Sequence, residues 1–374
     1  MTIGILKEPG HETRVSLLAE AVATLTKKNI TVLVEDNAGA KAFCSNADYE
    51  KAGAQIKNRE DVLSSSNIIL SIHPLETSDI RHLTSDILIG VFQPLFNVEL
   101  MKDWAAANIT TFSLDMLPRT TRAQAMDVLS SQANIAGYKA VLTAAASYGR
   151  YFPMFMTAAG SIAPAKVLIL GAGVAGLQAI ATAKRLGAII EVFDTRPAVK
   201  EEVMSLGAKF VEVEGAADAS KAGGYAVEQS EDFIQRQKAK IAESIAKADI
   251  VITTAQIPGK KAPILITEDM IKAMRNGSVI IDIAAATGGN TPVTKNNETI
   301  SYNGVTIIGN SNLQATMPSD ASKLYGKNVL NFLQLIITKE GAINLNWEDD
   351  LVKGSCITHG GEIVNERTLS LKGT

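Results

Sequence analysis

Cysteine is nearly absent from this chain of 374 residues: Cys44 and Cys356 are the whole supply. Two isolated thiols build no disulfide framework, and they give no zinc-binding pattern. A reducing compartment fits them. Neither sign of charge dominates. Lys and Arg number 36 against 39 Asp and Glu, a net charge of −3, which argues against a nucleic-acid binder. Aromatic residues are few, at 5%, but hydrophobic residues overall reach 46%. That is enough apolar surface to exclude disorder for most of the chain. No uninterrupted apolar run reaches the roughly 18 residues of a membrane-crossing helix. The start, MTIGILKEPG, lacks the charged-then-apolar pattern of a signal peptide. His11, His82 and His359 stand in no metal-ligand spacing. No metal site is expected.

What is present is alternation. Short β-branched runs predict strands at Ile3–Leu6, Thr31–Glu35, Ile68–Ile72, Leu88–Phe92 and Thr110–Leu114, separated by helical stretches such as Leu17–Lys28. A long Ala-rich helical pattern runs from about Arg122 to Tyr148. The small-residue segment TAAGSIAPAK then reads as a loop. A second series follows, with strands at Lys166–Leu170, Ile189–Asp194, Lys209–Val213, Ile250–Thr254, Val279–Ile283 and Thr306–Gly309. A last helix is expected over Ser319–Thr338, then a strand-like tail, SCITHGGEIV. Strands separated by helices imply βαβ units and parallel sheets. The expected fold is α/β: two Rossmann-like domains joined by long helices, with a cleft between them. The first domain is read as 1–130 plus about 325–374, and the second as 131–324.

The second series opens with Gly171-Ala-Gly173-Val-Ala-Gly176, placed between a strand and an amphipathic helix that Gly187 ends. That context is what a dinucleotide fingerprint requires. Gly171 permits the tight turn, Gly173 lets a pyrophosphate approach the backbone, and Gly176 lets helix and strand pack closely. The helix N-terminus offers free N–H groups to phosphate. Asp194 ends the next strand, where a ribose-binding acid is expected. Its charge favours NAD(H) over NADP(H), while the nearby Arg196 is of the type that holds a 2′-phosphate. Thr254, Ala255 and Gln256 follow another strand at its carboxyl end. They read equally as a ligand loop or as an ordinary strand-to-loop transition. The polar stretch 214–233, EGAADASKAGGYAVEQSEDF, reads as a functional lid or as a plain surface insertion.

Four segments carry a resemblance: 119–141, RTTRAQAMDVLSSQANIAGYKAV; the glycine-rich turn with its helix; the loop AGGYAVEQSEDF; and TTAQIPGKKAPILIT. With ETRVSL near the start and DIAAATGGN near the end, they closely resemble the NAD(H)-binding component, domain I of the alpha subunit, of proton-translocating nicotinamide nucleotide transhydrogenase. Alanine dehydrogenase shares that superfamily and its two-domain architecture. The resemblance implies direct hydride transfer between NAD(H) here and NADP(H) on a partner subunit. It further implies a homodimer, a membrane-spanning proton-channel subunit as the other partner, and no nucleic-acid partner. A cytoplasmic location, peripheral to the inner membrane through those partners, follows from it. By resemblance, Arg119, Gln124, Asp127 and Ser130 surround the nicotinamide. Val174, Asp194, Gly224, Thr254, Ala255 and Gln256 surround the rest of the nucleotide, and Ala175 and Thr195 complete that set. Tyr225 matches the tyrosine of a mobile loop. The chain departs from the family pattern at Val227 and Gln229, at Gln256 where Leu is common, and in AAATGGN.

Hydride transfer between two nicotinamides needs no acid or base, only rings held face to face with water excluded. Gln124 offers a donor and an acceptor for a carboxamide. Asp127 and Arg119 are of a type to fix each other and the carboxamide by charge-assisted bonds. The alternative is a solvated helix start, with Asp127 serving the helix dipole. An alanine dehydrogenase would instead need a Lys and His acid/base pair. Arg14 matches its substrate-carboxylate arginine, but Ile72 and His73 stand where the Lys belongs and Gln93 where the His belongs. A third reading, a non-catalytic NAD(H) sensor, would keep Asp194 and the glycines but has no need of Gln124.

Overall fold

The computed structural model describes residues 1–83, 87–213 and 230–370. They form two compact units, 1–132 with 315–374 and 133–314. The boundary near residue 132 falls inside one helix, Val128–Ser147.

The first unit is built on eight strands in the order Glu362–Ile363, Cys356–His359, Thr110–Ser113, Ile87–Gly90, Ile68–Leu70, Thr2–Ile5, Thr31–Glu35 and Gln55–Lys57. The six strands from the first stretch of chain pair in parallel. The last two strands of the chain add an antiparallel edge. Continuous aliphatic runs suit strands covered on both faces, and Ile68–Leu70 and Ile87–Gly90 are buried at every residue. One face packs Phe92 edge-on to Trp104, with ring centroids 5.1 Å apart. On the other face Phe112 meets Phe332 at 5.4 Å. Phe332 belongs to the Pro318–Ile336 helix, whose buried side includes Tyr325, Val329 and Leu333.

The second unit carries seven strands in the order Lys209–Phe210, Ile189–Phe193, Lys166–Leu170, Ile250–Thr253, Val279–Asp282, Val305–Ile308 and Thr299–Tyr302. All pair in parallel except Thr299–Tyr302, which is antiparallel to its neighbour. Lys166–Leu170 comes first in sequence yet lies inside the sheet. The chain builds outward from it on one side, then returns to Ile250–Thr253 on the other. The carboxyl ends of those two strands form the switch point where open α/β sheets bind ligands.

Three elements differ from the expectations above. TAAGSIAPAK is not all loop: Phe155–Thr157 and Gly160–Ile162 pair as a short antiparallel hairpin. The helix expected from Arg122 is two elements, a 3₁₀ helix at Thr121–Met126 and an α-helix from Val128, separated at Asp127. The strand Gln55–Lys57 was not expected. It lies at a sheet edge with its side chains largely exposed, so it lacks a buried apolar run.

Candidate functional site

In the second unit the turn after Lys166–Leu170 is set by three glycines with three different surroundings. Gly171 has φ +104°, in the left-handed region that favours glycine, and a Cβ there would strike the Thr254 hydroxyl. A Cβ on Gly176 would strike the Gly171 carbonyl, so the helix Val174–Arg185 can start this close to the strand only without a side chain. Gly173 is different. Its φ is −76° and a Cβ there would meet nothing within 4 Å. Nothing in the protein itself requires glycine at 173, which fits a backbone kept open for a ligand. Gly173 caps the Val174–Arg185 helix with no side-chain hydrogen bond, leaving first-turn N–H groups for an anion. Val174, on that first turn, is 39% exposed despite its apolar side chain. Behind the turn, a Cβ on Gly137 would strike the Ala175 carbonyl, so the long helix packs backbone to backbone against the start of this one.

Asp194 sits beside the turn, at the end of Ile189–Phe193. Its Oδ2 accepts from the Ala172 N–H at 2.7 Å, which ties the second strand's end to the glycine turn. Arg196 donates to it three times: the backbone N–H at 2.8 Å and Nε at 2.9 Å to Oδ1, and a guanidinium NH2 at 2.8 Å to Oδ2. Thr195, between them, is half-buried.

Thr254, Ala255 and Gln256 lie at the carboxyl end of Ile250–Thr253, next to the turn. The Thr254 hydroxyl donates to the Gly171 carbonyl at 3.2 Å. The Gln256 amide donates to the Ile283 carbonyl at 3.3 Å and is exposed. Two residues that sequence reasoning missed hold this loop. Asn290 Nδ2 donates to the carbonyls of Ala255 at 2.9 Å and Pro263 at 2.8 Å, and its Oδ1 accepts from the Ala255 N–H at 3.2 Å. Asn290 in turn donates its backbone N–H to Asp282 Oδ2 at 2.7 Å. Asp282 is fully buried, and it also accepts from Thr253, Ala284 and Thr294. Both are in DIAAATGGN, which marks the family but does not announce what it touches.

Arg119, Gln124, Asp127 and Ser130 lie in the first unit. Arg119 and Gln124 are exposed, and Gln124 is in the 3₁₀ helix. Its side chain makes no hydrogen bond among the described residues, so both amide ends are open. Asp127 caps the following helix: Oδ1 accepts the Ser130 N–H at 2.9 Å and Oδ2 the Ser130 hydroxyl at 2.6 Å. The capping function weighed for Asp127 is therefore real, and it fixes Ser130 as well. Gly224 and Tyr225, with Val227 and Gln229, lie outside the described residues.

The first unit also holds a buried polar network around Arg14. Its Nε and NH2 donate to Glu12 Oε1 and Oε2 at 2.9 and 2.7 Å, and its NH1 donates to Gln132 Oε1 at 2.8 Å. His73 Nε2 lies 2.7 Å from Glu12 Oε2. Burial pushes the Glu12 carboxyl up, but Arg14 and His73 outweigh it and hold the group well below the usual range. Glu8, behind it, accepts from the N–H groups of Ile72 at 2.6 Å and His73 at 3.1 Å. Burial dominates there and pushes its carboxyl up to about 7. Gln93 holds φ +48° at the end of its strand. Among the described residues no cluster of three or more His, Cys, Asp or Glu is arranged to hold a metal.

Comparison with known proteins adds a family. Residues 4–136 match the family described as alanine dehydrogenase/PNT, N-terminal domain, and residues 140–366 match its C-terminal domain. The first segment of the NAD(P) transhydrogenase alpha subunit of Rickettsia prowazekii, which is a chain of its own, is 45% identical over 373 residues, covering 98% of this chain and 96% of that protein. A solved transhydrogenase structure from Sinorhizobium meliloti superposes with a TM-score of 0.89 at 42% identity, covering 97% of this chain and 100% of that one. A solved L-alanine dehydrogenase shares the fold, with a TM-score of 0.82 at 24% identity, over 100% of this chain and 99% of that one.

Proposed function

The chain belongs to the alanine dehydrogenase/PNT family, and from that premise we propose that it is the NAD(H)-binding component of a proton-translocating, Re/Si-specific NAD(P) transhydrogenase. The reading follows the transhydrogenase relatives, which match at 45% identity end to end. One structural observation carries its nucleotide half. Gly173 has open space where a Cβ would stand, directly before an uncapped helix and beside the Asp194 carboxylate.

In this reading the helix N-terminus and the Gly173 backbone take the pyrophosphate, and Asp194 takes the adenosine ribose. Val174, Thr195, Thr254, Ala255 and Gln256 surround the rest of the nucleotide, with Gly224 and Tyr225 contributed by the 214–229 segment. The bound nucleotide supplies or accepts the hydride at its nicotinamide, and NADP(H) on a partner subunit is the other party. Arg119 and Gln124 orient the carboxamide, and Asp127 holds Ser130 in place to do the same. These residues position and exclude water. None is asked to move a proton.

No helix among the described residues is long and apolar enough to cross a membrane. The reading assigns proton conduction to a separate membrane-spanning subunit. The chain would work as a homodimer, on the cytoplasmic side of the inner membrane through its partners.

An amino-acid dehydrogenase is disfavoured by Glu12. The imidazole nearest a substrate arginine, His73, is already committed to that carboxylate at 2.7 Å, and Arg14 is paired with the same group. The test is a direct titration of NADH and NADPH into the purified chain, with a pyruvate-plus-ammonia assay alongside. NADH binding without NADH oxidation by pyruvate and ammonia supports the reading. Failure to bind NADH removes it.

A further inference from the structure

Asp194 has no lone pair left for a ribose. A carboxylate offers about four acceptor positions. Here Oδ1 accepts from the Arg196 backbone N–H and Nε, and Oδ2 accepts from the Ala172 N–H and the Arg196 NH2. A ribose hydroxyl reaches the carboxylate only by displacing one of these donors. Two of them are backbone groups fixed by the turn and by the residue's own peptide. The two that can leave are Nε and NH2 of one guanidinium, on a side chain with several rotatable bonds. Solvent also reaches that guanidinium first, since the side chains are 19% exposed for Arg196 and 6% for Asp194.

We propose that Arg196 is the residue through which this site discriminates between dinucleotides with and without a 2′-phosphate. With Asp194 in place, the guanidinium fork is spent on a carboxylate. It is neutralised and bidentate, and so it is withheld from a 2′-phosphate, which the Asp194 charge also repels. Ribose hydroxyls of NAD(H) displace the fork and take its acceptors. Without the Asp194 charge, the same fork becomes a partly buried cation at the 2′ position, with the geometry that phosphate prefers. The site is then a 2′-phosphate site masked by one carboxylate. The inference rests on the NAD(H) reading above and deepens it.

The test is a four-member cycle titrated with NADH and NADPH at one salt concentration: wild type, Asp194→Asn, Arg196→Gln and the double variant. Asn at 194 keeps an acceptor for the Ala172 N–H, and a thermal melt checks that each variant folds. The expected result is that Asp194→Asn weakens NADH and tightens NADPH by at least about tenfold, the worth of one charge-assisted hydrogen bond. The double variant loses the NADPH gain. Arg196→Gln alone binds NADH at least as tightly as wild type, because nothing has to be displaced. An equal NADPH gain with and without Arg196 would overturn the inference while leaving the NAD(H) site intact. So would an Arg196→Gln variant that loses NADH as Asp194→Asn does. A folded wild type that binds neither nucleotide would remove the NAD(H) reading itself.

Discussion

Asn290 grips Ala255 by both of its backbone groups: its side-chain Nδ2 donates to the Ala255 carbonyl at 2.9 Å, and its Oδ1 accepts the Ala255 N–H at 3.2 Å. The residue is fully buried and is itself held by Asp282 at 2.7 Å. Position 255 is thus fixed by a side chain 35 residues away. Replacing Asn290 with Ala strands the Ala255 and Pro263 carbonyls and the Ala255 N–H. The expected cost is roughly 2–3 kcal/mol of stability, read from a denaturation midpoint, together with weaker NADH binding. Full stability would show that water replaces the amide without loss.

The glycines separate a folding role from a binding role. Gly173→Ala meets open space at an ordinary φ, so its stability should stay within about 0.5 kcal/mol of wild type. NADH affinity should fall at least about tenfold, because the methyl group fills the pyrophosphate approach. Gly176→Ala drives a methyl into the Gly171 carbonyl and should destabilise the fold by roughly 1–3 kcal/mol. If Gly173→Ala binds NADH like wild type, the pyrophosphate lies elsewhere.

Glu8 gives the first unit a pH dependence of known sign. Burial raises its folded-state carboxyl from 4.5 to about 7. Folding therefore takes up a proton between those values. The stabilisation is complete below about pH 4.5 and is lost as pH rises through 7. Wild type should lose up to roughly 3 kcal/mol relative to Glu8→Gln between pH 4.5 and 8. Denaturant midpoints for the pair at each pH measure it, and parallel profiles would show that Glu8 ionises normally.

Gln124 has an exposed side chain with no hydrogen bond among the described residues, so shortening it should leave the fold alone. Gln124→Asn should keep stability within about 0.5 kcal/mol and NADH affinity nearly unchanged. It should slow hydride transfer at least about tenfold, since a misplaced ring loses its near-attack geometry. A transfer rate equal to wild type would take Gln124 out of the positioning set.

Much of this architecture is legible in the sequence because buried parallel strands advertise themselves. Lys166–Leu170 and Ile250–Thr253 are runs of aliphatic residues buried on both faces. The glycine turn adds a local rule at fixed spacing. Structure decided by partners elsewhere was not legible. The hairpin at Phe155–Thr157 and Gly160–Ile162 has fully exposed strands and no apolar alternation to betray it. The break at Asp127 hides inside an Ala-rich helical pattern, because one capping carboxylate there sets a new helix start. Asp194 was found by its spacing from Gly171, but its saturation by Arg196 is geometry that spacing does not carry. Asn290 was invisible as a loop anchor because its partners, Ala255 and Pro263, lie 35 and 27 residues away.

The most direct measurement is reconstitution. The purified chain is mixed with a transhydrogenase NADP-binding component loaded with NADP⁺, and NADH and an oxidised NAD analogue are added. NADH passes hydride to the bound NADP⁺, and the NADPH so formed passes it to the analogue, so one NADH is oxidised for each analogue reduced. The account predicts steady turnover only with the partner present, and none with the chain alone or with the chain plus pyruvate and ammonia. NADH oxidation by pyruvate and ammonia without the partner, or no transfer although both components hold their nucleotides, would contradict it.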